Sequence, residues 1–463
     1  MMEELKENSE ISSSCHFELV TQSGVEGREV NFKKFAWKQF KKNKPAYYSY
    51  KILIALIVLA LLAPILATDQ PLYCKYKGVN MFPAFSFYNS CEIKNEDGTT
   101  EILQYDIAEW KHLDATTIIF APVAYAPDKT DYDNADYISP NGKQVFKDKS
   151  GNLVDMPTKF RHWLGTGKSG EDVLSGLING TRVSLSIGIL SMTIASFLGI
   201  LLGAMAGYFG DKKLQTTRGS FWTMVVGLVF AYYYGFSVRS YNIADAFATS
   251  GFAVLIQLII SLIIFTIVSF LFYLLGKQIG KISFLTKRVF IPVDSIVSRT
   301  IEILISMPLL ILIISISAIA KEKSMINLMV IIGLTTWTGI ARLTRAEFLR
   351  ITNLDYIQAA KSMGFKEFHI MFKHALPNAL APALVAIAFG VASAILIESS
   401  LSFLGVGVPP STVTWGSLLN AGREQYSAWW LVVFPGLAIF LTVTIYNLLG
   451  EGLRDALDPR LKR

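Results

Sequence analysis

Long apolar runs dominate this chain and confine it to a fold built in a bilayer. They are Ile52–Ala67, Val183–Phe209, Ser220–Phe236, Phe252–Leu275, Ile301–Ala320, Ile326–Ile340, Ala379–Leu404 and Trp429–Leu449. A helix rises about 1.5 Å per residue, so about 20 apolar residues cross a hydrocarbon core of about 30 Å. No water reaches backbone groups there, so each run must satisfy its own hydrogen bonds as a helix. The expected fold is all-α within the membrane, with about eight transmembrane helices. Ser220–Phe236 is the weakest of them, being short and ending in Tyr232, Tyr233 and Tyr234, residues that favour the membrane interface. Charge agrees: only 17% of the 463 residues are charged, against roughly a quarter in a soluble domain.

Between and around these runs the chain divides by composition. Residues 1–31 are polar, with Ser12, Ser13 and Ser14 in a row, and read as a disordered tail. Residues 32–67 hold a lysine- and aromatic-rich segment, with Trp37 and Phe40 suited to the headgroup layer, and then the first span. A cleaved signal peptide fits worse, because the preceding region is too long and Ile65 is a poor residue three before a cut at Ala67. Residues 68–180 form one long non-spanning segment with turn signals at Asn134, Pro140, Asn141-Gly142 and Gly151-Asn152. Thr116–Val123 is a strand candidate, so the insert is expected to be α/β or mostly β. Residues 181–463 carry the remaining spans.

The short loops set the orientation. With an inner N-terminus, inner loops carry Lys212, Lys213, Arg218, Lys277, Lys281, Lys287, Arg288, Arg342, Arg345, Arg350, Lys361, Lys366 and Lys373. Outer loops then carry only Arg239, Lys321, Lys323 and Arg423. This asymmetry places both termini in the cytoplasm and residues 68–180 outside. Cys74 and Cys91 share that outer segment and are candidates for a disulfide in an oxidising compartment.

Several function classes are excluded. The net charge of +7 belongs to the ends of apolar runs, not to a nucleic-acid surface. No phosphate loop is present; Gly165-Thr-Gly-Lys-Ser169 lacks its glycine spacing. Five scattered His and three Cys without a C-x-x-C give no metal site.

The segment from Asp355 to Pro377 is the most informative. Asp355 is a plausible helix N-cap, and Gly364 suits the left-handed position that ends a helix near Met363. A second helix is expected from Lys366 to about His374, stopped at Leu376-Pro377. Ala360 and Gly364 share a face at i, i+4, with Ala359 beside them, and small residues let a partner backbone approach. An ordinary helical hairpin is the alternative on these grounds. His374 reads as a hydrogen-bonding anchor of the loop. Glu398 is a carboxylate inside an apolar run and so a pore or gate candidate, with a structural hydrogen bond as the other reading.

This segment resembles the EAA loop of permease subunits of ABC importers. That pattern is Glu-Ala-Ala, three residues, Gly, about nine residues, then His-x-Leu-Pro. Here Gln358-Ala359-Ala360, Gly364, His374 and Leu376-Pro377 match it, with Gln358 replacing Glu. Phe35–Lys44, His162-Trp-Leu-Gly-Thr166, Asp172-Val-Leu, Gly180–Leu185, Leu401–Pro410, Thr414-Trp-Gly416 and Asn447–Arg460 resemble the second permease subunit of dipeptide and oligopeptide importers, the OppC/DppC type. The family usually has Asp where Gly167 stands. The resemblance covers residues 33–67, 160–210 and 294–463. Residues 68–160 are longer than usual and 211–293 look inserted, adding two spans to the usual six.

The resemblance implies a MetI-like helical core and a non-catalytic transport subunit. It implies a second permease, two ATPases that bind ATP and Mg, a solute-binding protein and a peptide substrate, in a bacterial cytoplasmic membrane. Gln358, Ala359, Ala360, Gly364, His374, Leu376 and Pro377 would then couple to an ATPase. Nickel, glutathione or another small solute are alternative cargoes. A membrane-anchored binding or assembly protein and an ion-driven secondary transporter are rivals from other classes. The latter should show paired repeats and midplane carboxylates or broken helices, whereas the chain shows no internal repeat and few charges within its apolar runs.

Overall fold

The computed structural model describes residues 32–86, 88–94, 100–148, 151–249, 251–319 and 324–457. The expectations for the tail 1–31, Lys321 and Lys323 lie outside these residues. Helix α1 (Phe32–Lys42) precedes α2 (Lys44–Leu66), which Asn43 caps by accepting from the Ala46 amide at 3.2 Å. The same Asn43 donates from Nδ2 to Asp455 at 2.9 Å, tying this corner to the last helix, α14.

The insert that follows is β, not α/β. Short strands β1 (Tyr73–Tyr76), β2 (Val79–Met81), β3 (Ser90–Lys94), β4 (Thr100–Gln104), β5 (Thr117–Ile119), β6 (Val145–Lys147) and β7 (Leu153–Asp155) pair antiparallel in sheets ordered β2-β1-β5, β3-β4 and β6-β7. A core shared by β1 to β5 holds Cys74, Met81, Ile93, Tyr105 and Trp110. The expected strand Thr116–Val123 is realised as the three residues of β5. Both thiols are free. Cys74 lies on β1 and Cys91 on β3, strands of different sheets, so the expected pairing is not formed.

Helix α3 (Val173–Phe209) then runs 37 residues, from the insert end of the molecule to the opposite end. After it come β8 (Gln215–Thr217), α4 (Arg218–Tyr232), α5 (Ser240–Thr249), α6 (Gly251–Ile279), β9 (Arg288–Phe290), α7 (Val293–Ser306), α8 (Leu309–Ile319) and α9 (Met325–Ile351). The chain closes with α10 (Asp355–Ser362), α11 (Glu367–His369), α12 (Leu376–Phe403), α13 (Trp415–Glu424) and α14 (Trp430–Leu457).

Among the described residues six helical segments are long and apolar enough to span a membrane, or seven if a bent pair counts as one. The expected eighth is Ser220–Phe236. Its α-helix stops at Tyr232 after 15 residues, about 22 Å, and continues only as a π-turn over Tyr233–Ser237. The bent pair is α7 with α8, which meet at 90°. Met307 stands before Pro308 and takes the extended conformation (φ −93°, ψ 135°) that a following proline imposes.

A long stretch of backbone-to-backbone contact joins α3 to α9. A Cβ at Gly199, Gly203 or Gly207 would lie 2.8, 2.5 or 2.5 Å from the carbonyl oxygens of Trp337, Ala341 and Arg345. Both sets are spaced by four, so the two backbones touch along one stripe and run parallel. A parallel pair requires the intervening chain to return to the insert end, which the α7–α8 segment does. The hairpin of α4 and α6 starts and ends at the paired strands β8 and β9, so it leaves the sidedness of α7 unchanged. Its base is closed by β8 pairing with β9, and by Asp211, which accepts from the Ser295 amide (2.9 Å) and hydroxyl (2.5 Å).

At the insert end a buried charge cluster pins the β region to α3. His162 is fully buried, with Nδ1 at 2.8 Å from Asp172 and Nε2 at 3.2 Å from Asp131. Asp172 also caps α3, accepting from the Ser175 amide at 2.6 Å. Burial pulls the imidazole pKa down, but the bonds to Asp131 and Asp172 outweigh it and hold it above its ordinary value.

Two outcomes test this architecture. Leucine at Gly203 forces the α3–α9 backbones apart and should cost about 1–3 kcal/mol, read as a lowered thermal midpoint in detergent. An unchanged midpoint would contradict the seam. The stability that His162 contributes is complete below its unfolded pKa of about 6.5 and is lost as pH rises through the raised folded value. Above about 8 Lys111, whose pKa burial lowers to about 8, acts in the opposite sense. Between about pH 6.5 and 8 the midpoint should therefore fall, and His162→Asn should flatten that slope.

Candidate functional site

The loop joining α9 to α12 is built on the ends of α3 and α9. Tyr208, Phe209, Phe348 and Ile351 form one buried cluster with Ile357, Ala360, Ile370, Met371 and Ala375. Glu367 accepts a hydrogen bond from the Tyr208 hydroxyl, and Arg345 pairs with both carboxylate oxygens of Asp294 at the foot of α7. Motion of the loop and motion of these helix ends are thereby joined through packed side chains.

Several sequence expectations change in detail. Asp355 is the first residue of α10, and Leu354 is its cap, without a side-chain bond. The carboxylate still sits where the helix dipole favours it. Helix α10 does end at Gly364: φ is +76°, the Phe365 amide reaches the Ala360 carbonyl at 3.3 Å, and the glycine lies open. Ala360, however, faces inward and is buried, so it does not share a bare face with Gly364. Ala359 is exposed. Gln358 donates from Nε2 to the Thr352 carbonyl at 2.9 Å, a bond that a glutamate could not make.

The second helix does not stop at Leu376-Pro377. Ile370–Ala375 is a π-turn, and the helical path continues from Glu367 to Phe403. The wider turn accommodates Pro377, which has no amide hydrogen and whose ring would clash with a carbonyl one α-turn back. His374 is half-buried; its ring packs 6.0 Å from Phe365 and 5.6 Å from His369, an aromatic role in place of the expected hydrogen-bonding one.

The outward face consists of side chains that motif reading passed over. Met363 is 69% exposed, Phe368 57%, and Phe365 and Phe372 46% each. Phe365, Phe368 and Phe372 stand at i, i+3 and i+7, a spacing that marks a single helix face and was available in the sequence. Clustered exposed aromatics and methionine are the composition of an interaction surface.

Above the loop, α9, α12 and α14 enclose a cavity of about 1500 Å³, lined by Met192, Gly339, Leu343, Phe389, Ser393 and others, with Arg342, Arg350 and Arg454 among its charged residues. Glu398 does not line it. That carboxylate is fully buried between α12 and α3, accepting from Ser402 (2.8 Å), Ser184 (3.2 Å) and Ser399 (3.4 Å). Such a cage is the structural hydrogen-bonding arrangement that the sequence left as the other reading.

Comparison with known proteins places this geometry. The family described as the binding-protein-dependent transport system inner membrane component matches residues 282–463. The N-terminal transmembrane domain of oligopeptide transport permease C matches residues 32–79. The glutathione transport system permease protein GsiD of Pectobacterium atrosepticum is 30% identical over 71% of this chain and 82% of its own. The chain belongs to the binding-protein-dependent transport permeases. Other members alike to it are the di/tripeptide transport system permease protein DppC of Pseudomonas aeruginosa, 31% identical over 65% of this chain and 73% of its own, and the inner membrane ABC transporter permease protein YejE of Escherichia coli, 26% identical over 91% and 96%. The first match takes in the loop, the cavity-lining parts of α9, α12 and α14, and Glu398, so these features lie in the permease core.

Within that core, Glu398→Ala leaves three seryl hydroxyls without their acceptor and should lower stability by about 1–3 kcal/mol. Glu398→Gln keeps an acceptor and should keep transport. A glutamine variant that is stable yet inactive would restore the gate reading.

Proposed function

We propose that this chain is one permease subunit of an ATP-driven importer of short peptides, and that residues 355–377 receive force from a separate ATPase. The observation that carries this is the exposed face of Met363, Phe365, Phe368 and Phe372, seated on the buried cluster at the ends of α3 and α9. A partner pressing on that face would move two spans at once. The site residues Gln358, Ala359, Gly364, His374, Leu376 and Pro377 shape the seat more than they cover it, and Ala360 fixes it from within.

The loop end faces the cytoplasm in this reading. Lys212, Lys213, Arg342, Arg345, Arg350, Lys361, Lys366 and Lys373 gather there, as the positive-inside rule asks, and the insert then lies outside a bacterial inner membrane. Both termini share the cytoplasmic side. ATP and Mg belong to the two ATPases, a solute-binding protein delivers cargo to the insert side, and a second permease completes the pore against the cavity of α9, α12 and α14. ATP hydrolysis is assigned to the partner, not to this chain. Peptide cargo is supported by relatives named for di- and tripeptides; glutathione, itself a tripeptide, is the second reading because of the relative named for it.

Phe368→Asp puts a charge on an already exposed site. It should leave the thermal midpoint within about 0.5 kcal/mol of wild type yet cut ATPase co-purification at least tenfold. Full ATPase capture by that variant would rule out docking at this face.

A further inference from the structure

The β insert contains a cleft of about 880 Å³ that the coupling mechanism does not use. It is walled by segments distant in sequence, including Asp69, Trp110, Lys111, Tyr125, Asp133 and Phe146. Lys111 lies deep within it, its ammonium 3.4 Å from the Tyr125 ring centre and 5.3 Å from that of Phe160. The acids whose charge reaches it also hold other groups. Asp131 holds His162 and Asn134, Asp172 holds His162 and the Ser175 amide, and Asp69 faces Lys129 at 3.7 Å. Among the described residues, no ion pair within 4.0 Å includes Lys111.

A half-buried ammonium with carboxylates nearby but none in ion-pair contact keeps N–H donors open to a ligand's carboxylate. Burial lowers the Lys111 pKa to about 8, against the pull of Asp131, Asp172 and Asp69, so the side chain is still mostly charged at neutral pH. Part of the wall is aromatic, with His112 stacked on Phe146 at 5.2 Å, and part is charged, with Asp106, Glu109, Lys147 and Asp148 also lining it. At the rim, Asp133 is exposed and has no bonded partner among the described residues, while Tyr132 is 80% exposed. The Lys111 ammonium inside and the carboxylates of Asp106, Glu109 and Asp133 around it suit a small zwitterion with its acid end toward Lys111.

We propose that this cleft binds a small solute through a free carboxylate, with Lys111 as the anchor. That the solute is a peptide C-terminus rests on the peptide reading above; the carboxylate chemistry does not. The site would give the importer a point of cargo contact in this chain itself, apart from the binding protein.

The test is calorimetric titration of the full-length protein in lipid nanodiscs with trialanine, trialanine amide and acetate. Trialanine should bind saturably, its amide about tenfold more weakly or worse, and Lys111→Met should lose about as much while Lys111→Arg retains binding. Affinity should decline as pH rises through about 8, where Lys111 gives up its proton. Asp133→Asn, a surface change that leaves the floor intact, should weaken trialanine but not acetate. Equal binding of acid and amide, or unaltered binding by a folded Lys111→Met, overturns the proposal. Acetate held through Lys111 without trialanine upholds the carboxylate site and removes the peptide assignment. No binding by either, with peptide uptake by the assembled complex intact, overturns the cleft and leaves the transport reading standing.

Discussion

Three glycines on α3 allow its backbone to lie directly against that of α9, and the placement of the other elements follows from that contact. In a bilayer, apolar side chains gain little by leaving lipid for one another, so association rests on close van der Waals approach and on polar groups that need partners. Gly199, Gly203 and Gly207 supply the approach. The two helices end together, at Phe209 and Ile351, and their last turns become the floor on which Ile357, Ala360 and Ile370 pack. A seam that slipped by one turn would carry that floor with it by about 5.4 Å. The seam and the loop of residues 355–377 are thus one mechanical unit, though separate in sequence.

Polar groups complete the picture at the other end. His162 between two carboxylates, and Glu398 among three hydroxyls, are buried but fully bonded. Removing one partner from such a group is costly, whereas the intact set holds a unique geometry. Asp172 is central, since one carboxylate both caps α3 and meets the buried imidazole. The β region is therefore fastened to the helix that reaches the 355–377 loop, and the two ends of the molecule share a rigid shaft.

Hydropathy made the spans legible because the bilayer imposes a length and a composition that few sequences meet by chance. It overcounted at Ser220–Phe236, where composition suits a span but the α-helix ends early. The break at Met307 was readable from Pro308, yet an apolar run hides it. Motif spacing located α10 and its glycine stop; it did not give the helix rotation, which the burial of Ala360 reversed. That phase is set by Tyr208 and Phe348, residues far off in the chain. The glycine stripe on α3 was present as a four-residue repeat and carried a packing meaning that a search for catalytic or coupling motifs passes over. The contacts of His162 could not be read at all, since Asp131 and Asp172 flank it at separations of no regular period.

The ribbon of β8 and β9 has a consequence for the history of the chain. It brings Gln215 opposite Phe290, with Asp211 bonded to Ser295 just beyond, so the polypeptide leaves and rejoins the core at almost the same point. A segment whose two ends coincide can be acquired or discarded during descent without displacing α3 or α7. The helical hairpin above the ribbon is in that sense a graft with a closed wound, free to diversify while the permease beneath it stays as it was.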